Sequence, residues 1–307
     1  MNLPRTVRLT EVSPRDGLQN APRSLTTTGK ITLIRMLAAA GIKEMEVTSF
    51  VSPKAVPNLA DAGDVIAGIH DLKIQLISLV VNDRGYDRAV SAGSGALTFV
   101  LSATEGHNRA NVNHSRDESI EMLSRMLNRA HDDGIDVRLS ISVAFGCPFE
   151  GNASLDSLLR LVDRMVRVGF CRIGLCDTIG VANPKQVYDW TRTMRDRFAG
   201  VEWELHLHDT YGRGLSNILA ALEAGVSRFD ASVGGLGGCP FAPGATGNVS
   251  TEDLVSMLDG MGIATGIDLG GLVDTSDFLA TRLGGCVTSH LWQVSQSRRA
   301  CSIRAGS

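Results

Sequence analysis

Hydrophobic and polar positions along this chain follow two periods in a recurring order. A stretch with apolar residues three or four apart ends on a glycine, two or three residues follow, and a run of period two begins. The phrase occurs as AAAGIKEMEVTSF, VSAGSGALTFVLS, HDDGIDVRLSISV, RVGFCRIGLCDT and LEAGVSRFDASVGG. Ile31, Ile34 and Leu37 make one helical stripe, and Leu155, Leu158, Leu159 and Val162 another. After the glycines the pattern alternates: Val137, Leu139, Ile141 and Val143 oppose Arg138, Ser140 and Ser142, while Met45 and Val47 oppose Glu44, Glu46 and Thr48. Gly41, Gly93, Gly134, Gly169 and Gly225 sit where a helix ends on a left-handed residue before the chain turns into a strand.

The period-two runs predict eight strands, at roughly 6–13, 43–49, 73–81, 96–102, 136–144, 171–177, 202–208 and 228–233. Their starts lie about 23 to 40 residues apart, room for a crossover helix each. Eight βα units over about 260 residues is the size of an α/β protein of the (β/α)8 TIM-barrel type; a doubly wound open sheet is the alternative. No linker divides the chain, so the expectation is one domain over 1–307, with the barrel at about 5–263 and a small extra helical segment at about 264–307 packed on it.

A barrel places its chemistry at the C-terminal strand ends. There the chain reads SPRDGLQN, EVTSF, CDTIG, HLHDT and GGLGGCPFAPGATGN. In VEWELHLH, Trp203, Leu205 and Leu207 oppose Glu204, His206 and His208, so both imidazoles face the lumen. Two buried imidazoles need partners, and one metal ion serves both; the plainer reading is a pair of core histidines bonded to carboxylates. Asp16 and Asn248 are further candidate ligands. Imidazoles with hard oxygens suit Mg²⁺ or Mn²⁺, and zinc stays open. Asn248 also lies at a helix start, where Ser250 caps and Glu252 and Asp253 favour the dipole.

Gly234 to Asn248 holds six glycines in fifteen residues without the strand and helix context of a dinucleotide fingerprint, and Cys239 is the one cysteine placed where a thiol can act. Glu11, Glu46 and Asp177 complete the rim, as direct participants or as residues that orient others. Arg15, beside Asp16, is suited to stabilise an oxyanion.

The composition, 43% apolar and 21% charged with a formal charge of −3, is that of a globular protein without the basic field that nucleic acid or an anionic membrane attracts. The opening MNLPRTVRLTEVSPRDG has no apolar stretch of signal-peptide length, and no apolar run spans a bilayer, so the expectation is a cytoplasmic protein. Six cysteines without CxxC pairs indicate free thiols.

EVSPRDGLQN, EVTSFVSPKAVPNLAD, GCPFEG, DTIGVANP, HLHDTYGRGLSN and GGLGGCPFAPGATGNVSTEDL together resemble the 3-hydroxy-3-methylglutaryl-CoA lyase family, from about residue 5 to 265. The resemblance implies metal ligands at Asp16, His206, His208 and Asn248, an enolate-stabilising Arg15, a loop cysteine at Cys239, and functional carboxylates at Glu46 and Asp177. It puts Gln19, Arg109, Asn111 and Asn113 along the acyl-CoA path and implies a homodimer. The implied reaction is retro-Claisen cleavage of a 3-hydroxy-3-alkylglutaryl-CoA to acetyl-CoA and a 3-oxo acid, with His206 or an Asp16-linked water as the first base and Cys239 moving a proton later. Pro22, Arg109, Ala110, Gly174 and Cys176 depart from the family pattern near the acyl path, so the acyl group stays open. A Claisen-type synthase and a non-catalytic acyl-CoA-binding barrel are the alternatives.

Overall fold

The computed structural model describes residues 3–238, 247–285 and 287–305. Eight parallel strands close into a barrel: β1 (Arg8–Glu11), β2 (Glu44–Ser49), β3 (Gln75–Val80), β4 (Ala96–Ser102), β5 (Asp136–Ser142), β6 (Arg172–Asp177), β7 (Glu202–Leu207) and β8 (Arg228–Ala231). Neighbours in sequence are neighbours in space, and closure comes from β1 against β8, with Arg8 opposite Arg228 and Thr10 opposite Asp230. The described helices are α1 (Thr27–Ala39), α2 (Ala62–Ala67), α3 (Asp83–Ser91), α4 (Glu105–Val112), α5 (Arg116–Asp132), α6 (Leu155–Val168), α7 (Pro184–Arg197), α8 (Gly214–Glu223), α9 (Thr251–Gly260), α10 (Leu269–Leu283) and α11 (His290–Ala305). No described helix is long and apolar enough to cross a membrane.

The five glycines that end helices all have positive φ, from +67° at Gly134 to +115° at Gly169, a region that costs a residue with a Cβ. The apolar half of each strand faces the helices: Met45, Val47, Leu97, Phe99, Leu139, Ile141, Ile173, Leu175, Leu205 and Phe229 are buried. Burying one such side chain stabilises the fold by about 1.5–3 kcal/mol. One continuous apolar cluster runs from Val7 to Val287, and α10 packs on α1 and α9.

The lumen is unlike the branched apolar filling usual for such barrels. Arg138, Glu46, Glu204, Asp230, Glu44 and Arg228 are all buried there, and Arg172 bonds both Glu44 and Glu204. The polar face of each alternating strand is therefore paid for by ion pairing across the barrel rather than by solvent.

Three features differ from the sequence expectation. β1 stops at Glu11, because residues Ser13–Gly17 wind into a π-helical turn that carries Arg15 and Asp16. The β4–α5 connection contains α4, and the β5–α6 connection contains a small hairpin of Gly146–Cys147 with Gly151–Asn152. Glu150 of that hairpin accepts a hydrogen bond from the Gly106 amide at 2.6 Å, tying the hairpin to the start of α4.

Candidate metal centre and active site

Three segments deliver the central cluster. His206 faces the lumen one residue before β7 ends at Leu207, and His208 follows one step beyond the strand. The π-helical turn after β1 brings Asp16 over the barrel mouth. Residues 247–250 return between the tips of β7 and β8, with an antiparallel bridge from His208 to Asn248 and a parallel one from Ser232 to Ser250. Ser250 then caps α9 by accepting from the Asp253 amide. Asn248 and the cap of α9 are thus adjacent parts of one segment, and the helix start expected there forms with Ser250 as its cap.

One ligand atom from each of Asp16, His206 and His208 lies within 4.8 Å of the others. The two Nε2 atoms face each other at 3.1 Å, and Asp16 Oδ2 is 4.0 Å from His208 Nε2. Asn248 Nδ2 donates to Asp16 Oδ2 at 2.7 Å, while the buried Asn248 Oδ1 has no hydrogen-bond partner among the described residues. A carboxylate and two imidazoles whose ligand atoms converge fit a divalent cation, and the orphaned Asn248 carbonyl oxygen nearby is a further unused lone pair.

The protonation states suit this. Burial would lift the Asp16 carboxyl, but the Arg15 guanidinium, with His206 and His208, holds it down at about 2. Burial pushes His208 down to about 4, helped by its neighbour His206, which leaves a neutral imidazole. Burial also opposes charge on His206, yet Asp230, bonded to its Nδ1 at 3.1 Å, and Asp16 together raise it.

Arg15 is clamped by two carboxylates: Nε donates to Glu46 Oε1, and Nη1 to Asp16 Oδ1 at 2.7 Å. Burial would weaken its charge, but Glu46 and Asp16 outweigh that and keep it a cation. A cavity of about 490 Å³ opens beside the cluster, lined among others by Arg15, Asp16, Gln19, Asn111, Asn113, Cys176, His206 and His208. Val51, Ala55, Val56, Leu79 and Val100 form an apolar side. A second cavity, about 540 Å³, lies at the opposite end of the barrel; its Arg138, Arg172, Arg228 and Glu202 are occupied in ion pairs with one another and with Glu44, Glu46, Glu204 and Asp230.

The residues picked out in the sequence are therefore placed differently from one another. Arg15, Asp16, Gln19, Asn111, Asn113, His206 and His208 meet at the cavity, and Asn248 joins through Asp16. Glu46 and Asp177 are fully buried and absent from the cavity lining. Glu46 grips Arg15 from below, while Asp177 accepts from the Val181 and Ala182 amides at 2.9 and 3.0 Å and so shapes the β6–α7 loop. Burial pushes the Asp177 carboxyl up to about 6 despite those amides. Glu11 is likewise enclosed, bonded to the Ser13 and Val233 amides and to Thr251. Arg109 is exposed and paired with Glu105 at 2.8 Å, away from the cavity wall, because it occupies the outer side of α4. Cys239 lies outside the described residues. Two lumen groups were not singled out in advance, Asp230 and Arg138; the period-two alternation of DVRLSISV and RFDAS marks their face but not their partners.

A (β/α)8 barrel with two imidazoles, a carboxylate and a clamped arginine at its C-terminal mouth defines a metal-dependent barrel enzyme. The HMGL-like family model matches residues 6–279. Hydroxymethylglutaryl-CoA lyase YngG of Bacillus subtilis (strain 168) is 41% identical over 298 residues, covering 97% of this chain and 100% of the relative. The (R)-citramalyl-CoA lyase of Chloroflexus aurantiacus is 40% identical over 289 residues, 91% of each chain. A solved HMG-CoA lyase from Acinetobacter baumannii, in complex with coenzyme A and 3-methylmalate, superposes with a TM-score of 0.89 at 41% identity, covering 94% of this chain and 95% of that one. The chain belongs to the HMG-CoA lyase family and is a carbon–carbon lyase.

Proposed function

We propose that this enzyme cleaves 3-hydroxy-3-methylglutaryl-CoA to acetyl-CoA and acetoacetate, using Mg²⁺ or Mn²⁺ held by Asp16, His206, His208 and Asn248. The observation that carries the reading is the convergence of Asp16, His206 and His208 beside a clamped Arg15 in one cavity. A divalent ion held by these residues would supply Lewis acidity that lowers the pKa of the substrate's C3 hydroxyl. A water held by Asp16, or His206 with its Nε2 released from the ion, takes the hydroxyl proton. The C3–O electrons form the new carbonyl as the C2–C3 bond breaks, and its electron pair passes to the thioester as an enolate. Arg15, fixed through Nε and Nη1, meets the enolate oxygen without having to reorganise. A proton then returns to C2, for which Cys239 is the donor in this reading.

Gln19, Asn111 and Asn113 on the cavity wall are the residues proposed to contact the CoA arm; the solved relative that carries coenzyme A supports an acyl-CoA ligand here. The exposed Arg109 is left with a peripheral contact at most. The reading extends to a single unit over 1–307 with its extension from about 264, working as a homodimer in the cytoplasm, which light scattering and fractionation test.

The citramalyl-CoA lyase relative supports a second reading with the same bond cleavage. Purified protein with Mg²⁺ or Mn²⁺ and each thioester separates them. Acetyl-CoA with acetoacetate supports the first, acetyl-CoA with pyruvate the second, and no acetyl-CoA from either sinks both.

A further inference from the structure

We infer that Arg138 is the positioning residue of the site: a single guanidinium beneath the reactive layer that holds the metal-ligand imidazole and the enolate-stabilising arginine in place at the same time. Arg138 lies on the lumen face of β5, 4% exposed. Its Nε donates to Thr98 Oγ1 at 2.8 Å, its Nη2 to Glu46 Oε2 at 2.8 Å, and its Nη1 to Asp230 Oδ1 at 2.8 Å and Glu204 Oε1 at 3.2 Å. Four of a guanidinium's five N–H groups are thereby used, on four different strands.

What makes this a positioning device is the use of the far oxygens. Glu46 gives Oε2 to Arg138 and Oε1 to Arg15. Asp230 gives Oδ1 to Arg138 and Oδ2 to His206 Nδ1. Each carboxylate is a two-ended link, with Arg138 at the lower end and a reactive-layer residue at the upper. His206 sits directly opposite Asp230 in the β8–β7 register, so that link is short. A bonded Nδ1–H also leaves Nε2 as the ring's lone-pair atom, the one that faces His208.

Stability alone is a poor account of this network. Buried ion pairs contribute little over well-packed apolar side chains, whereas a buried carboxylate without its cation is strongly unfavourable. Arg138 is shared by Glu46, Glu204 and Asp230, so it keeps the first and last anionic, and anionic acceptors are what Arg15 and His206 require. Lysine carries the same charge but no planar fork, and cannot serve strands β2, β4, β7 and β8 together.

The Arg15 arm rests on the lyase reading; the His206 arm does not, since metal affinity is measured without substrate. The test is Arg138→Lys, Asp230→Asn, Glu46→Gln and the double variant Arg138→Lys/Asp230→Asn, each read by Mn²⁺ titration in electron paramagnetic resonance and by kcat and KM with 3-hydroxy-3-methylglutaryl-CoA. Arg138→Lys is expected to weaken Mn²⁺ binding by about 10- to 100-fold and to lower kcat with KM changed far less. Asp230→Asn should reproduce the loss of Mn²⁺ affinity, Glu46→Gln the loss of kcat, and the double variant should bind Mn²⁺ no worse than the weaker single one. A folded Arg138→Lys with Mn²⁺ affinity and kcat within about twofold of the parent, or losses that add in the double variant, would overturn the inference. If Arg138→Lys does not fold, the other two singles decide: Asp230→Asn must lose Mn²⁺ affinity and Glu46→Gln must lose kcat, and failure of either overturns it. A parent that binds Mn²⁺ but turns over no substrate counts against the substrate assignment, not against Arg138.

Discussion

Gly237→Ala perturbs the proposed metal centre without replacing any of its ligand residues. Gly237 has φ +123°, and a Cβ built on it stands 2.5 Å from Asn248 Nδ2 and 3.3 Å from Asp16 Oδ2. Asn248 has little room to yield: its Nδ2 already donates to Asp16 Oδ2 at 2.7 Å and to the Leu236 carbonyl at 3.0 Å, and its backbone is bridged to His208. An ordinary contact needs about another ångström, so the amide must swing off Asp16 or the backbone must move. The left-handed conformation costs an alanine about 1–2 kcal/mol, and a hydrogen bond to a carboxylate is worth about 1.5–3 kcal/mol. The sum, about 2.5–5 kcal/mol, lowers Tm by roughly 5–10 °C in a protein of this size. Displacing Asn248 from Asp16 also weakens Mn²⁺ binding by about 10- to 100-fold. Differential scanning fluorimetry and Mn²⁺ titration read the two effects. Gly63→Ala is the control: no atom lies within 4 Å of its Cβ and it is exposed in α2, so Tm should hold or rise slightly. Unchanged Mn²⁺ affinity in Gly237→Ala would refute the claim that this glycine exists to let Asn248 approach Asp16.

Other perturbations have equally definite outcomes. Arg15→Lys keeps the charge but loses the fork that meets Glu46 and Asp16, and kcat should fall by about 10²- to 10³-fold in steady-state assays; a loss under about threefold would remove Arg15 from its role. Chelation followed by dialysis should abolish acetyl-CoA release, with Mn²⁺ or Mg²⁺ restoring it; full activity in the chelated protein would contradict the metal reading. Glu11 gives a pH prediction. Burial pushes its carboxyl from 4.5 up to about 7, although Thr251, Ser13 and Val233 pull the other way. The folded state thus holds this proton more tightly than the unfolded chain does. Its contribution to stability is full below about pH 4.5, declines as pH rises through 7, and is gone above. Urea midpoints from pH 5 to 8 should show that decline flattened in Glu11→Gln, and equal slopes for both proteins would count against it.

The strands, the helix-ending glycines and the face on which His206 and His208 lie are local properties, and the sequence alone determined them. Alternation at period two assigns a side chain to the lumen whatever the strand pairs with, and a left-handed glycine marks a helix end wherever that helix packs. The motif spans likewise identified the family from residues close together in the chain. Partnership is different, because it is set by closure and register. Asn248 reaches Asp16 across 232 positions only because residues 247–250 return between β7 and β8 while β8 closes on β1. Glu46 and Asp177 both read as rim carboxylates, yet one ends up beneath Arg15 and the other bound to the amides of its own loop, since nothing local says how far into the lumen a side chain lies. Asp230 and Arg138 showed in the sequence only as polar positions on a strand. Their importance arises from four strands curving around one guanidinium, an arrangement that exists only once the barrel is closed.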